Sequence, residues 1–379
     1  MRIVFLHHAN VCRGGIERML SVRANTFAEK MGYDVTLLTY EQNHEPYPYP
    51  LSLKVKCVDL DVKLYKAYKY PYPLRYLKKL LLRHQLSNAI RDFLKEAKAD
   101  IVVCTDKDAH ELRALIRAHT TEKLVVEAHT GMIDHEMQVR ETRNIVRRFF
   151  AVIDLNRLKE TVCQFNALIA LTPDDAHKWG AFIRKTIIPN CLPEHPEQKA
   201  DTSKDYKRAI AVGRLNHQKG FDLLLQAWRK VQERHTDWHL DIFGDGEDLA
   251  ELSAKLPPHA AIHPSTPDIF VEYQQSDLLV CSSRWESFGL IIIEAMACGL
   301  PVVAFDCDNG PRNIITDGED GLLARNGDTD DLAEKLCQMI GQKDQRQKMG
   351  ITARQNAARF KSESIITQYD RFYKSLLEE

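Results

Sequence analysis

Residues 284–301 read RWESFGLIIIEAMACGLP, and the other motifs of the chain are interpreted around this stretch. Its apolar run predicts a short helix over 290–298. Gly299 favours the left-handed turn that ends a helix, and Pro301 cannot continue one. The stretch therefore predicts a loop, a short helix and the start of a strand.

Two carboxylates, Glu286 and Glu294, lie on this stretch with seven residues between them. Glu294 falls in an almost wholly apolar helix, where a buried charge is costly unless it is paired. The free N–H groups of Phe288, Gly289 and Leu290 lie at the positive end of the same helix, where they favour phosphate or sugar oxygens. Two interpretations are open: a ligand site, or a core helix whose Glu294 is paired with an arginine.

Length and composition indicate a globular protein of two domains, because 379 residues are too many for one core. A net charge of −1 argues against a nucleic-acid partner. The nine cysteines form no C-x-x-C pair, which is typical of a reducing compartment and predicts a cytoplasmic protein. The sequence predicts no membrane-spanning segment.

Segment 54–83 combines nine Lys or Arg with only two Asp and five Tyr. Basic residues interleaved with interfacial aromatics, and followed by Leu77, Leu80, Leu81 and Leu82, favour contact with an anionic membrane surface. This predicts a peripheral contact at the inner face of the membrane. A solvated loop and helix face is the alternative. Arg143, Arg147 and Arg148 before Phe149-Phe150 either extend the basic face or form an ordinary helix flank.

Three loops follow predicted strands and carry residues suited to a ligand site. Gly14-Gly15 opens a helix, which permits close approach of an anion or sugar to the backbone. His129 falls at the carboxyl end of a strand, where ligands bind in open α/β sheets. Arg214 and Lys219 flank a strand-to-helix loop and suit a diphosphate. Each signal alone is weak, because a tight turn, a surface histidine and a solvated loop look the same in sequence.

D-x-D triplets that begin at Asp59, Asp106 and Asp306 are the candidate metal ligands. A chain with 53 acidic residues yields such pairs by chance, so we predict no metal site. The pair Asp106 and Asp108 is held open because it follows a strand.

Strand and helix patterns alternate through both halves of the chain, which predicts an α/β fold with two doubly wound parallel sheets. A proline-rich break at 189–196 marks the hinge. We predict an N-terminal domain at 1–188, a C-terminal domain at 189–360, and a last helix within 361–379 that packs back on the first domain.

Taken in order, these motifs together with Gly244-Asp245-Gly246 resemble the retaining glycosyltransferases of glycosyltransferase family 4. The likeness covers nearly the whole chain and is strongest over 208–323, which contains VGRLNHQKG, IFGDGE and GPRNIITDGEDGLL. It implies the GT-B fold, in which two Rossmann-like domains face each other across a cleft.

The resemblance also implies a role for each residue. His129 and Glu286 are the catalytic candidates, with His129 at the reaction centre and Glu286 on sugar hydroxyls. The implied donor-binding residues are Gly14, Gly15, Arg214, Lys219, Gly244, Asp245, Gly246, Phe288, Gly289, Leu290 and Glu294. Glu294 is implied to bind the donor ribose, and the loop at Gly244 to lie near the base.

The implied reaction is transfer of a sugar, with its anomeric configuration retained, from a nucleotide diphosphate sugar to a glycan or lipid-linked acceptor. It requires no cofactor and no metal, since fixed cations stabilise the leaving diphosphate. Family resemblance and Gly310-Pro311-Arg312 favour a UDP-sugar as donor. A nucleotide-sugar epimerase or hydrolase of the same fold, and a non-catalytic sugar-nucleotide-binding subunit, are the alternatives.

Overall fold

The computed structural model describes residues 1–71, 74–106, 109–119, 121–180, 184–193 and 205–378, without the side chain of His110. The chain forms two compact units. The first comprises Met1–Pro193 and Glu363–Glu379, and the second comprises Glu194–Ser362. Asp108, the hinge residues from 194 onward and Tyr72, one of the five tyrosines of segment 54–83, lie outside the described residues.

The first unit is built on a parallel sheet of seven described strands: β1 (Arg2–His7), β2 (Asp34–Thr39), β3 (Val55–Asp59), β4 (Ile101–Thr105), β5 (Lys123–Ala128), β6 (Ala167–Ala170) and β7 (Lys185–Ile187). The helices described between them are α1 (Gly15–Glu29), α2 (Leu74–Ala97), α3 (Ala109–Ala118), α4 (Gly131–Glu141), α5 (Ile145–Val162) and α6 (Pro173–Lys178). β4 and β6 consist of residues buried on both faces, which is typical of parallel strands covered by helices.

Strand order in this sheet is β3-β2-β1-β4-β5-β6-β7, so the order reverses between β1 and β4. The two strands pair in parallel, with Ile3 opposite Ile101. A crevice opens at the carboxyl ends of the strands where the order reverses, and ligands of such sheets bind there.

The second unit repeats this architecture with β8 (Arg208–Val212), β9 (His239–Phe243), β10 (Ala260–His263), β11 (Leu278–Cys281), β12 (Val302–Phe305) and β13 (Gly321–Ala324). Its described helices are α7 (Phe221–Arg234), α8 (Leu249–Ser253), α9 (Ile269–Gln274), α10 (Leu290–Cys298), α11 (Gly310–Ile314), α12 (Thr329–Gly341) and α13 (Lys343–Ala357). The strand order β10-β9-β8-β11-β12-β13 reverses between β8 and β11. The prediction of two doubly wound sheets is therefore confirmed.

The C-terminal helix α14 (Ser362–Leu377) packs into the first unit. Its buried side chains are Ile365, Ile366, Tyr369, Tyr373 and Leu376. The ring centroid of Tyr373 lies 5.9 Å from that of Phe27 on α1, and Tyr33 donates a hydrogen bond to Asp370. Residues far apart in sequence thus complete one core.

The sequence interpretation of segment 54–83 needs two corrections. Part of it is the regular strand β3, at the edge of the first sheet, which the sequence analysis did not predict. Leu82 was grouped with surface leucines, but it is buried against the core because α2 turns that face inward. Leu77, Leu80 and Leu81 are exposed as expected.

None of the helices in the described ranges is both long enough and apolar enough to cross a bilayer.

Ile366→Ala tests the packing of α14. Ile366 is fully buried, so the substitution leaves a cavity, and we expect it to lower the free energy of unfolding by roughly 2–5 kcal/mol. Thermal unfolding followed by circular dichroism measures the loss. Ser364→Ala, at an exposed position of the same helix, is the matched control. Equal stability of the two variants would show that α14 does not pack on the unit.

Candidate functional site

In the second unit, the two loops that follow β8 and β11 lie side by side at the strand-order reversal. Ser282 Oγ donates to the carbonyl of Lys219 at 3.0 Å, and Gln218 Nε2 donates to the carbonyl of Trp285 at 3.2 Å. The backbone N–H of Arg284 donates to the carbonyl of Gln218 at 2.8 Å. These bonds hold the Lys219 loop against the Glu286 loop.

Lys219 and Glu286 form an ion pair at this junction. The Lys219 Nζ lies 2.5 Å from Glu286 Oε1, and Ser283 Oγ donates to the same oxygen at 2.7 Å. Glu286 is 5% exposed. The structure therefore brings together two predicted ligand residues, one cation and one carboxylate, at the place where a ligand of this sheet binds.

Arg214 lies on the same β8 loop and is exposed. It makes no ion pair with a residue of the described ranges. A guanidinium has five N–H donors in a fixed fork, so it can bind two phosphate oxygens at once. Within this loop, Arg214 supplies the second cation.

Gly244-Asp245-Gly246 packs against the β8 loop. A side chain at Gly244 would place Cβ 1.9 Å from the carbonyl oxygen of Gly213, and one at Gly246 would place it 2.2 Å from that of Leu215. The Asp245 carboxylate accepts from the hydroxyl of Ser265 at 2.5 Å and from its backbone N–H at 3.1 Å. Both glycines are needed for this close backbone approach.

Helix α10 begins beside the ion pair. Gly289 is its N-cap with φ 99°, in the left-handed region that favours glycine. No side chain of the described residues caps the helix there. The backbone N–H groups at the start of the helix, beginning with that of Leu290, can therefore donate to a ligand. Phe288 is buried, with its ring edge against Phe360 at 5.8 Å between centroids.

Glu294 lies inside α10 and is 4% exposed. Cys298 lies four residues after Glu294 on the same helix, so the two side chains share a face. Burial is the main cause, and the Glu294 carboxylate the second, of a Cys298 thiol pKa that is raised to about 12. The burial expected from the apolar helix is present.

Asn309 is a site residue that the sequence interpretation missed. It is fully buried with φ 70°, and its backbone forms a bridge with Glu286. Neither polar atom of its side-chain amide has a hydrogen-bond partner among the described residues. An unsatisfied buried amide is costly, which points to a ligand partner. The neighbouring Gly310 is the sequence feature that could have indicated this site. Only glycine fits there, because a Cβ would lie 2.4 Å from the Phe288 carbonyl oxygen.

In the first unit, His129 belongs to a buried polar cluster at the carboxyl end of β5. Its Nε2 lies 2.8 Å from Glu127 Oε2 and 3.3 Å from Arg23 Nη2. Arg23 also donates to Glu127 Oε1, and Tyr373 on α14 donates to that oxygen at 3.2 Å. Glu127, the last strand residue but one, was also missed by the sequence interpretation.

The charges of this cluster stabilise each other. Burial by itself would raise the pKa of Glu127, but Arg23 and then His129 outweigh it and lower that pKa to about 2. Glu127 likewise outweighs the burial of Arg23 and raises the guanidinium pKa. Because a carboxylate oxygen only accepts hydrogen bonds, His129 donates from Nε2 to Glu127 Oε2.

Gly14-Gly15 is the start of α1, as predicted, with Gly14 at the N-cap. The Glu17 carboxylate folds back over this end, where its Oε2 lies 2.3 Å from the position a Gly14 Cβ would take. A negative charge in the first turn is favourable there. An anion approaching Gly14 therefore meets a carboxylate, whereas a sugar hydroxyl meets an acceptor.

Asp106 is fully buried and holds the turn after His129. Its two carboxylate oxygens accept from the backbone N–H groups of Thr130 and Gly131, each at 3.0 Å. Within the described ranges, no group of three or more His, Cys, Asp or Glu is placed to hold a metal ion. Asp108, the other member of this triplet, lies outside those ranges.

Residues 194–356 match the family model described as glycosyl transferases group 1. An uncharacterized glycosyltransferase of Haemophilus influenzae is 26% identical over 94% of this chain and 95% of its own. The amylovoran biosynthesis glycosyltransferase of Erwinia amylovora is 32% identical over 54% of this chain and 60% of its own. The structure of S. aureus TarM with UDP superposes with a TM-score of 0.73 at 14% identity, covering 98% and 99% of the two chains.

Glu127→Gln tests the buried cluster. Removing one charge leaves Arg23 uncompensated, so we expect a loss of roughly 3–5 kcal/mol in the free energy of unfolding at neutral pH. The folded pKa of about 2 lies below the ordinary 4.5, so the stabilisation is complete above pH 4.5 and disappears as pH falls towards 2. Denaturant unfolding of both proteins across this range should converge at acid pH. A pH-independent difference would contradict the assignment.

Proposed function

We propose that the chain is a group 1 glycosyl transferase, the family whose model matches residues 194–356, and that it transfers a sugar from a UDP-sugar, with retention of anomeric configuration, to a glycan or lipid-linked acceptor. The acceptor is one of surface polysaccharide or glycolipid synthesis. The observation that carries this proposal is the Lys219–Glu286 pair beside the uncapped start of α10, at the strand-order reversal of the second unit.

The donor diphosphate is assigned to Lys219, Arg214 and the first N–H groups of α10. Lys219 gives a compact charge, Arg214 a bidentate fork, and the helix end a fixed dipole. Lys219 pairs with Glu286 at 2.5 Å. A diphosphate that draws Lys219 away releases the Glu286 oxygens for hydroxyl groups of the sugar.

Glu286 and Asn309 are assigned to the donor sugar, and Glu294 to the ribose. Glu286 and Asn309 are bridged through their backbones, so a sugar bound to one is within reach of the other. The unsatisfied amide of Asn309 supplies one donor group and one acceptor oxygen, which suits a sugar hydroxyl. Gly244-Asp245-Gly246 is assigned to the region of the base.

UDP is favoured over other nucleotides for two reasons. The similar S. aureus TarM structure holds UDP. The chain also carries Gly310-Pro311-Arg312 after β12, where the Arg312 Nε lies 2.9 Å from Asp306 Oδ1. That ion pair orders the start of α11 next to the Glu286 loop.

Retention is proposed to follow a same-face displacement. The bond between the anomeric carbon and the diphosphate oxygen breaks, the acceptor oxygen bonds on the same face, and the departing phosphate takes the acceptor proton. Negative charge grows on the diphosphate as this happens, so Lys219 and Arg214 lower the barrier. These cations supply the charge that a metal ion supplies elsewhere, and we propose metal-independent transfer. His129 remains a predicted catalytic residue of the first unit.

A peripheral contact with the inner face of the membrane is proposed through segment 54–83. Tyr65, Tyr68, Tyr70 and Tyr76 are exposed, as are Leu77, Leu80 and Leu81. Lys79 lies 4.4 Å from the ring centroid of Tyr68, so cations and aromatic rings are interleaved on one surface. Such a surface binds anionic headgroups through its charges and the interface through its rings.

Lys219→Ala tests the donor site. A hydrogen bond to a charged group contributes roughly 1.5–3 kcal/mol, so we expect UDP to bind at least about 10-fold more weakly. Isothermal titration calorimetry measures the affinity. Lys230→Ala is the control, since it removes an exposed lysine of the same unit that pairs with Asp330.

Lys219→Ala also leaves Glu286 without its cation, and the double variant Lys219→Ala/Glu286→Gln separates the two effects. If Lys219 binds the diphosphate, the double variant still binds UDP weakly. Wild-type affinity in the double variant would mean that Lys219 only neutralises Glu286.

A further inference from the structure

We propose that a cavity of the first unit binds the phosphate group of a lipid-linked acceptor. This inference rests on the proposed function and locates its acceptor. The cavity has a volume of about 390 Å³ and lies among α2, α3, α4 and α5. Ligand pockets of small molecules have volumes of roughly 300–1,000 Å³. α3 and α4 follow β4 and β5 directly, so the cavity belongs to the side of the sheet where ligands bind.

Cations outnumber carboxylates among the charged side chains of the lining. Lys79 and Arg83 contribute from α2 and Arg157 from α5, against one carboxylate, Asp154. Arg157 Nη1 lies 3.6 Å from Asp154 Oδ1, so this pair is internally balanced. Arg83 is half-buried and makes no ion pair with a residue of the described ranges. Lys79 donates to the Tyr68 hydroxyl at 3.0 Å, which does not neutralise its charge.

His135 adds a buried polar group to this lining. Its Nε2 has no hydrogen-bond partner among the described residues, although it lies 3.4 Å from Asp106 Oδ2. Burial by itself would lower the His135 pKa, but Asp106, followed by Asp134 and Asp175, outweighs it and raises that pKa. The cationic form of the ring donates from both nitrogens. Gln138, one turn further along α4, contributes an amide.

The lipid source of this phosphate is indicated by the exposed start of α5. Residues 143–150 are all exposed. The apolar ones include Ile145 at 85%, Phe149 at 63% and Phe150 at 58% exposure, interspersed with Arg143, Arg147 and Arg148. Two adjacent phenylalanines exposed to water at a helix end do not stabilise the fold. A bilayer interface with anionic headgroups satisfies both the apolar and the cationic side chains.

The exposed end and the cavity are parts of one surface. Ala151, the residue after Phe150, lines the cavity. On the other wall, Lys79 and Arg83 are flanked by the exposed Leu80 and Leu81, and α3 packs against both α2 and α5. A lipid whose chain lies along the exposed helix ends can therefore place its phosphate among the cavity cations.

Two double variants separate the phosphate from the lipid. Arg83→Ala/Arg157→Ala removes cavity cations, and Phe149→Ser/Phe150→Ser removes the apolar end. The controls are Lys56→Ala/Lys95→Ala, at exposed cations of the same unit that do not line the cavity, and Ile351→Ser, at an exposed apolar position of the second unit. Binding of inorganic pyrophosphate is measured by calorimetry with saturating UDP, which fills the proposed donor site. Sedimentation with phosphatidylcholine vesicles, with and without phosphatidic acid, measures lipid binding.

We expect Arg83→Ala/Arg157→Ala to weaken pyrophosphate binding at least about 10-fold, as loss of charge-assisted hydrogen bonds does, and to weaken binding to phosphatidic acid vesicles. Phe149→Ser/Phe150→Ser should keep pyrophosphate binding and lose vesicle binding. Both variants should bind UDP as the wild type does. Failure of the wild-type protein to bind UDP would instead count against the proposed function.

Three results would overturn the cavity assignment. The first is unchanged pyrophosphate affinity in Arg83→Ala/Arg157→Ala. The second is equal binding to vesicles with and without phosphatidic acid. The third is a wild-type dimer in analytical ultracentrifugation that Phe149→Ser/Phe150→Ser dissociates, because the exposed helix end would then be covered by a second copy of the chain.

Discussion

The reversal of strand order between β8 and β11 is the constraint on which the second unit depends. It places the β8 loop and the β11 loop next to each other, although Lys219 and Glu286 are 67 residues apart. Because the helices after these strands lie on opposite faces of a doubly wound sheet, the loops leave a crevice between them. The ion pair, the start of α10 and the buried Asn309 all border this crevice.

Local features of this arrangement were predictable from sequence. The limits of α10 follow from its apolar run, from Gly289 and Gly299 with positive φ, and from Pro301. The alternation of strands and helices predicted both sheets, since each apolar run is bounded by turn residues. These predictions were possible because the residues that indicate a helix or a strand lie within it or a few residues from its ends.

Contacts between distant residues were not predictable in the same way. Nothing near Glu127 in the sequence indicates Arg23, 104 residues earlier, or Tyr373, 246 residues later. The unsatisfied amide of Asn309 is visible only once its surroundings are known, since asparagine is ordinary in a turn. Edge strand β3 was not predicted because Lys56 and its other exposed positions interrupt the apolar run that is typical of a buried strand.

The proposed reaction is transfer of a sugar from a UDP-sugar with retention of configuration. Its most direct test is a proton NMR time course of the anomeric signals of a UDP-hexose, recorded with the protein and a membrane lipid extract as acceptor source. For retaining transfer, we expect the donor signal to fall only when the extract is present, and the new glycoside signal to have the coupling of the donor's own anomeric configuration. Inverted configuration, or loss of the donor signal at the same rate without the extract, would contradict it.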